Sequence, residues 1–340
     1  MKKRLLSFAK YAVFLGLGLF LVWWSFRQIP DDKWDEFTKS LSTANYWLLI
    51  PVFVILALSH LVRALRWKIL MQPMGYQPRV ANTFFAVMIG YLANLAIPRL
   101  GEVLKCTFLA RYEKVPAEKL VGTIVAERAV DVVSLGIVFM LTMVTQSDIL
   151  AEYGNELIGQ LFKKGENISI TALLLFAGIL IILFIALRVW FKQFSHLKIV
   201  MVIKKIIAGV WEGLISIRRL KQKGLFILYS ALIWLLYAAG TWVGLMATDG
   251  TAHLGMGAAL GALAFGSIGM IVTPGGIGAF AFFIAKVLEE NGVPFEIGFA
   301  NGTLQWFAQF LIVVLLGSIS LLLFPVYNKK KNSHESHSSN

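Results

Sequence analysis

Long apolar runs fall at 8–26, 47–65, 82–98, 119–145, 169–190, 225–247, 254–273 and 299–324. A helix needs about 20 apolar residues to cross the hydrocarbon core of a bilayer, so each run predicts a membrane element. Charges in the connections orient these elements, because Lys and Arg concentrate in cytoplasmic loops. Met1-Lys2-Lys3-Arg4 puts the N-terminus inside. The run that follows ends in Trp23-Trp24 rather than in small cleavage-site residues, which predicts a retained first helix and not a cleaved leader. Asp31, Asp32, Asp35 and Glu36 place 27–39 outside, and Arg63, Arg66, Lys68 and Arg79 place the next connection inside.

If 82–98 crossed fully, the acidic region 146–168 would face the cytoplasm and the basic region 188–224 would face out. That inverts the charge rule where the bias is largest. The conflict disappears if 82–98 turns back at Pro98-Arg99-Leu100-Gly101, with 102–115 as the return arm. The same argument makes 254–290 a second hairpin, entering from the opposite side and turning at Thr273-Pro274-Gly275-Gly276-Ile277-Gly278. The expected fold is therefore an all-α polytopic membrane protein with about six full crossings and two opposed re-entrant hairpins. Both termini are expected in the cytoplasm. In each half a helix precedes a broken hairpin and a helix with polar residues follows, a pattern of inverted-repeat character that points to a transporter site. Ordinary proline-kinked helices are the plainer alternative.

Composition agrees. The 340 residues are 58% hydrophobic and 15% charged, whereas a soluble domain carries about a quarter charged residues. Mean hydropathy is +0.72. The membrane domain is expected over 1–327, with a disordered cytoplasmic tail at 328–340. The net charge of +13 fits cytoplasmic loops facing an anionic leaflet, and no nucleic-acid partner is expected. The amphipathic stretch 195–219 suits a helix lying on that leaflet. Ala258, Ala262 and Gly266 permit close helix packing. A single cysteine, Cys106, excludes an internal disulfide. No P-loop, GxSxG, HExxH or cysteine-ligand cluster occurs, so neither a metal nor another cofactor is expected.

The informative residues are charges inside membrane elements, each expensive unless paired or hydrated. Glu127 and Asp131 share a helix face at i,i+4 and need a cation or a proton between them. Arg128, offset on the same helix, can pair with Glu102 of the return arm. Arg63 and Arg66 also share a face. They either snorkel beside an anchoring Trp67 or form a fork for phosphate. Arg99, at a hairpin tip, calls for an anionic partner. Gly275 and Gly276 let the backbone approach a ligand or another helix, and the helix after them would point its positive end at the turn. Asn301, Gln305 and Gln309 lie on the last helix, where Glu127 and Asp131 lie in the first half. A purely structural salt-bridge cluster is the competing reading.

Arg63-x-x-Arg66-Trp67, Asn94-x-x-x-Pro98-Arg99-x-Gly101-Glu102, Glu127-Arg128-x-x-Asp131 and Thr273-Pro274-Gly275-Gly276-Ile277-Gly278, in this order, resemble the flippase-like membrane domain of lysylphosphatidylglycerol synthases. The likeness runs from about residue 10 to 325. It implies movement of a lipid, aminoacylated or polyprenyl-linked, between leaflets of the cell membrane. It also implies that the four motifs line one cavity, with Arg63, Arg66, Asn94, Arg99, Glu102, Glu127, Arg128, Asp131, Thr273, Gly275, Gly276 and Gln305 as candidate substrate contacts. No aminoacyl-transferring domain follows in the sequence, so lysyl-lipid synthesis is not expected of this chain. The expected function is lipid translocation without enzyme chemistry, and Glu127→Gln is expected to abolish transport in a folded protein. An accessory subunit serving a partner enzyme, or an intramembrane lipid-phosphate enzyme with Glu127 or Asp131 as base, are the alternatives.

Overall fold

The computed structural model describes residues 2–97, 99–146 and 217–337, with side chains from 15 to 329. The predicted crossing 169–190 and most of the predicted surface helix 195–219 lie outside the described residues. The described residues form ten α-helices and no strand. In chain order these are α1 (Lys2–Arg27), α2 (Trp34–Ser42), α3 (Leu49–Met71), α4 (Val80–Ala96), α5 (Leu100–Glu113), α6 (Ala117–Thr145), α7 (Lys223–Leu245), α8 (Met256–Val272), α9 (Ala279–Glu289) and α10 (Phe295–His337). Among them, Tyr46–Met74, Lys223–Leu245 and Phe295–Lys329 are long and apolar enough to cross a membrane. The shorter apolar helices include Val80–Ala96 and Met256–Val272, the leading arms of the two predicted hairpins. The backbone of α10 continues as helix beyond residue 327 into the segment that composition assigns to a tail.

Both breaks fall at the predicted prolines and have the same backbone course. Ile97 and Thr273 are extended, as the ring of a following proline favours, and each ends the helix before it. The residue after each proline, Arg99 or Gly275, is left-handed with φ 68° or 61°. Helix α5 then folds back along α4. A Cβ on Gly90 would lie 3.0 Å from the Gly101 carbonyl oxygen and 3.1 Å from Lys105 Cβ, so only glycine lets these two backbones meet. In the second hairpin α9 folds back along α8, where a Cβ on Gly269 would lie 2.8 Å from the backbone of Phe280.

The two halves use the same partners. Helices α3 and α7 run antiparallel at the centre, since Arg66 reaches Ser230, Gln72 reaches Gln222 and Gly240 faces Ile55. Helix α4 of the first hairpin packs antiparallel on α10, with Phe85 on Phe324 at 5.5 Å. Helix α8 of the second packs antiparallel on α6, with Phe139 on Phe265 at 5.3 Å. Helix α1 covers the second turn: Gly18 lies beside Ile277, and a Cβ on Gly278 would come within 2.6 Å of the Gly18 carbonyl oxygen. The core is mostly apolar but also holds polar groups: Arg66, Asn82, Asn301, Ser59 and Thr251 are fully buried, while Val132, Met140, Ile227, Leu235 and Leu322 are exposed on the outside. Lipid around the chain permits this, because an apolar exterior has no need to hide from hydrocarbon.

Candidate functional site

The site is built where α3, α5, α6 and α7 meet. Helix α3 supplies Arg63 and Arg66, three residues apart and so on one face, both buried. Helix α6 supplies Glu127 and Asp131 on the face opposite. Arg63 donates to Asp131 at 2.7 Å and to Glu127 at 3.2 Å. Arg66 donates to Asp131 at 2.8 Å and lies 3.6 Å from Glu127. Helix α5 adds Lys105, whose ammonium donates to the other Glu127 oxygen at 2.6 Å and sits 4.0 Å over the Trp67 ring. Helix α7 adds two acceptors, since Arg63 donates to the Tyr237 hydroxyl at 3.1 Å and Arg66 to Ser230 at 3.4 Å, while the Nε of each arginine is buried with no partner among the described residues. At the outer edge Arg128 pairs with Glu102 at 2.8 Å. Four cations thus meet three anions, leaving one positive charge in excess.

These contacts settle several of the expectations. The carboxylates do share a face and do have cations between them. Arg128 does pair with Glu102. Arg63 and Arg66 do not snorkel: they are buried and held by carboxylates, and Trp67 is fully buried with its indole N–H donated to Thr123 at 2.8 Å. Asn94 accepts the Gly101 N–H at 2.8 Å and so caps the start of α5. Arg99 is exposed and has no ion-pair partner among the described residues.

The remaining candidates lie apart from this cluster. Thr273 is buried and donates to the Ile277 carbonyl at 3.0 Å, which closes the second turn on itself. Gly275 accepts the Trp306 indole N–H at 2.8 Å and touches Leu95 of the first hairpin, while Gly276 faces Met270. The glycine turn therefore approaches other helices rather than an open space. Gln305 donates to Asn301 at 2.7 Å, and Asn301 donates to the Gly244 carbonyl, Thr248 and Thr251 at 2.9, 2.9 and 3.1 Å. This uncharged knot occupies the place in the second half that Glu127 and Asp131 occupy in the first.

Several contributors, Ser230 among them, were not among the expected site residues. Lys105 was legible only as polarity of the return arm, although it lies four residues after Gly101 and so must share its inward face. Tyr91 and Tyr237 carry no sequence signal that separates them from other membrane tyrosines. His60, one turn before Arg63, is buried 4.9 Å from the Tyr91 ring, and neither ring nitrogen has a partner among the described residues. A cleft opens beside the cluster, lined by Tyr91, Asn94, Glu102, Lys105, Glu127 and Arg128 among others. The cleft is open on one side and its volume is about 20 Å³, room for about one water.

No solved structure matches this chain. A protein described as UPF0104 membrane protein MJ1595, of Methanocaldococcus jannaschii, is 28% identical over 100 residues. That stretch is 28% of this chain and 30% of the relative's own length. The model of one family, described as the lysylphosphatidylglycerol synthase TM region, matches residues 8–317. With that match and its bundle of apolar helices, this chain is a multi-pass membrane protein of the lysylphosphatidylglycerol synthase transmembrane family.

Proposed function

We propose that the protein moves an amphiphile with a phosphate-containing headgroup between leaflets of the cell membrane, with both termini in the cytoplasm and the two hairpins re-entrant. The lipid would be a phospholipid, an aminoacyl-phospholipid or a polyprenyl-phosphate-linked lipid. The observation that carries this reading is the buried cluster with its one excess cation. Burying three cations and two anions, Arg63, Arg66 and Lys105 with Glu127 and Asp131, inside membrane helices costs several kcal/mol per ion before pairing, and apolar residues would fill the same space at no such cost. The excess suits an anion that comes and goes. Among the described residues no group of three or more His, Cys, Asp or Glu is gathered that could hold a metal ion, and the proposed role is transport.

Arg99 supports the same reading from the backbone. Its left-handed conformation costs a non-glycine residue about 1–2 kcal/mol, and the equivalent place in the second turn is Gly275. An arginine kept where glycine would relax the chain is supplying its side chain. It is placed at the tip of the first hairpin, exposed, to meet a headgroup phosphate before the buried arginines do.

The test is leaflet translocation in proteoliposomes, with headgroup-labelled lipids of several classes and a membrane-impermeant quencher. The wild-type protein should protect less of one class than empty vesicles do. Arg99→Gly should lose that activity while unfolding at a slightly higher temperature. The pairing of Glu127 makes Glu127→Gln alone a destabilising change, so Glu127→Gln combined with Lys105→Gln is the cluster variant to use. Translocation of no class by the wild type, or normal translocation by Arg99→Gly, would sink the reading. One observation favours the alternative of an accessory subunit: the cations are already paired within the chain and the cleft holds only about a water. On that reading single charge changes outside the buried core leave every activity of the partner enzyme intact.

A further inference from the structure

The two hairpins are fastened differently to the helices that follow them. In the second half α9 is seated directly on α10: a Cβ on Gly302 would lie 2.9 Å from Ala281 Cα, and one on Gly298 3.1 Å from Ala285 Cα. Backbones that close, with Ile284 and Leu288 fully buried in the seam, leave no room for sliding. In the first half α5 and α6 are separated by the cleft. Across it run two ion pairs, Lys105–Glu127 at the floor and Arg128–Glu102 at the rim. The floor pair is nearly buried, while the Arg128 side chain is 55% exposed and that of Glu102 28%. Ion pairs can be exchanged for other ion pairs, whereas interlocked backbones cannot.

The bonding around these pairs is incomplete. One Glu102 oxygen is buried with no partner among the described residues. Lys105 has three N–H donors, and Glu127 takes one of them. The site's charge is also short by one anion. A cleft with room for about one water cannot admit a phosphate without widening.

Resting on the translocation reading above, we propose that Lys105 and Arg128 bind the anionic phosphate of the headgroup when the cleft between α5 and α6 widens. Glu127 and Glu102 hold these two cations in the closed state in place of the ligand. Arg63, Arg66 and Asp131 stay fixed between α3, α6 and α7. Glu102 then acts as a competitor of the headgroup: neutralising it should strengthen binding, which a merely structural ion pair would not do.

The experiment measures lipid retained by purified protein in detergent, by native mass spectrometry, after exposure to equal phosphatidylglycerol and phosphatidylcholine. Glu102→Gln should raise the preference for phosphatidylglycerol about two- to fivefold, the factor expected from freeing one partly exposed ion pair. Arg128→Gln should lower it by a similar factor. Both residues are at the rim, so both variants should fold. In a Cys106→Ala background, joining Glu102→Cys to Arg128→Cys with a short bifunctional thiol reagent should stop the phosphatidylglycerol exchange that the same protein shows unjoined, and the reagent should leave exchange by the Glu102→Cys single variant unchanged. Unchanged preference in both Gln variants, or undiminished exchange in the joined protein, overturns the proposal. Millimolar inorganic phosphate that displaces phosphatidylglycerol completely would uphold the anion site and overturn the lipid as its source. Shifted preference with no translocation in vesicles would leave this site standing and remove the transport reading.

Discussion

The charge imbalance of the cluster makes a directional prediction about stability. Glu127 is shared by three cations, Arg63 at 3.2 Å, Arg66 at 3.6 Å and Lys105 at 2.6 Å, and its side chain is 5% exposed. In Glu127→Gln the amide cannot satisfy Lys105 and Arg63 together, and four cations are left facing two anions. Removing one partner from a buried ion pair costs about 3–5 kcal/mol. At about 2 °C per kcal/mol for a chain of this size, thermal unfolding should fall by about 6–10 °C. Lys105→Met removes a cation instead. It loses one charged hydrogen bond, worth about 1.5–3 kcal/mol, but leaves charges balanced and ends the desolvation of an ammonium. Its stem can still pack against Trp67, so its net effect should stay within about 1.5 kcal/mol of zero. Because the two residues touch, their effects should not add: Glu127→Gln with Lys105→Gln should be more stable than Glu127→Gln alone. The assay is thermal unfolding in detergent, followed by fluorescence of the chain's ten tryptophans. A loss in Lys105→Met as large as in Glu127→Gln, or a double variant no better than the single, would refute the reasoning.

Other substitutions probe the scaffold. Gly101→Ala would push a Cβ into the Gly90 carbonyl and the Asn94 side chain, and should cost about 1–3 kcal/mol as overpacking, read as a lower unfolding temperature. Asn94→Ala removes the cap on α5 and should cost about 1 kcal/mol in the same assay. Asn301→Ala leaves the Gly244 carbonyl and two threonine hydroxyls short of a donor and should cost about 1–3 kcal/mol. Its lipid preference should nevertheless match the wild type, because the knot lies apart from the charged cluster. Arg99→Gly should stabilise the chain by about 1 kcal/mol, visible as a small rise in unfolding temperature.

Much of the fold was legible in the chain because membranes impose simple rules. Apolar run length fixes where helices lie, and Pro98 and Pro274 disfavour α-helix in the residue before them, which suits the breaks after Ala96 and Val272, although α10 runs on through Pro325. The i,i+4 spacing of Glu127 and Asp131 and the shared face of Arg63 and Arg66 follow from helical periodicity in the same way. Which groups meet does not. Arg63 lies 68 residues from Asp131 and 174 from Tyr237, and only the crossing of α3 with α6 and α7 decides that the arginines are buried partners of carboxylates instead of snorkelling anchors. Helix packing likewise separates candidates that motif order had grouped. Gly275 and Gly276 press against Leu95 and Met270, and Gln305 joins Asn301, because the second hairpin is locked between α1 and α10. Lys105 entered the site for the converse reason: a lysine on a polar arm looks like surface until Gly90 and Gly101 bring that arm against the core. Local physics wrote the helices and their breaks into the sequence. The distribution of charge among their contacts was settled only where distant helices close on one another, since pairing energy depends on distance and burial that no single segment contains.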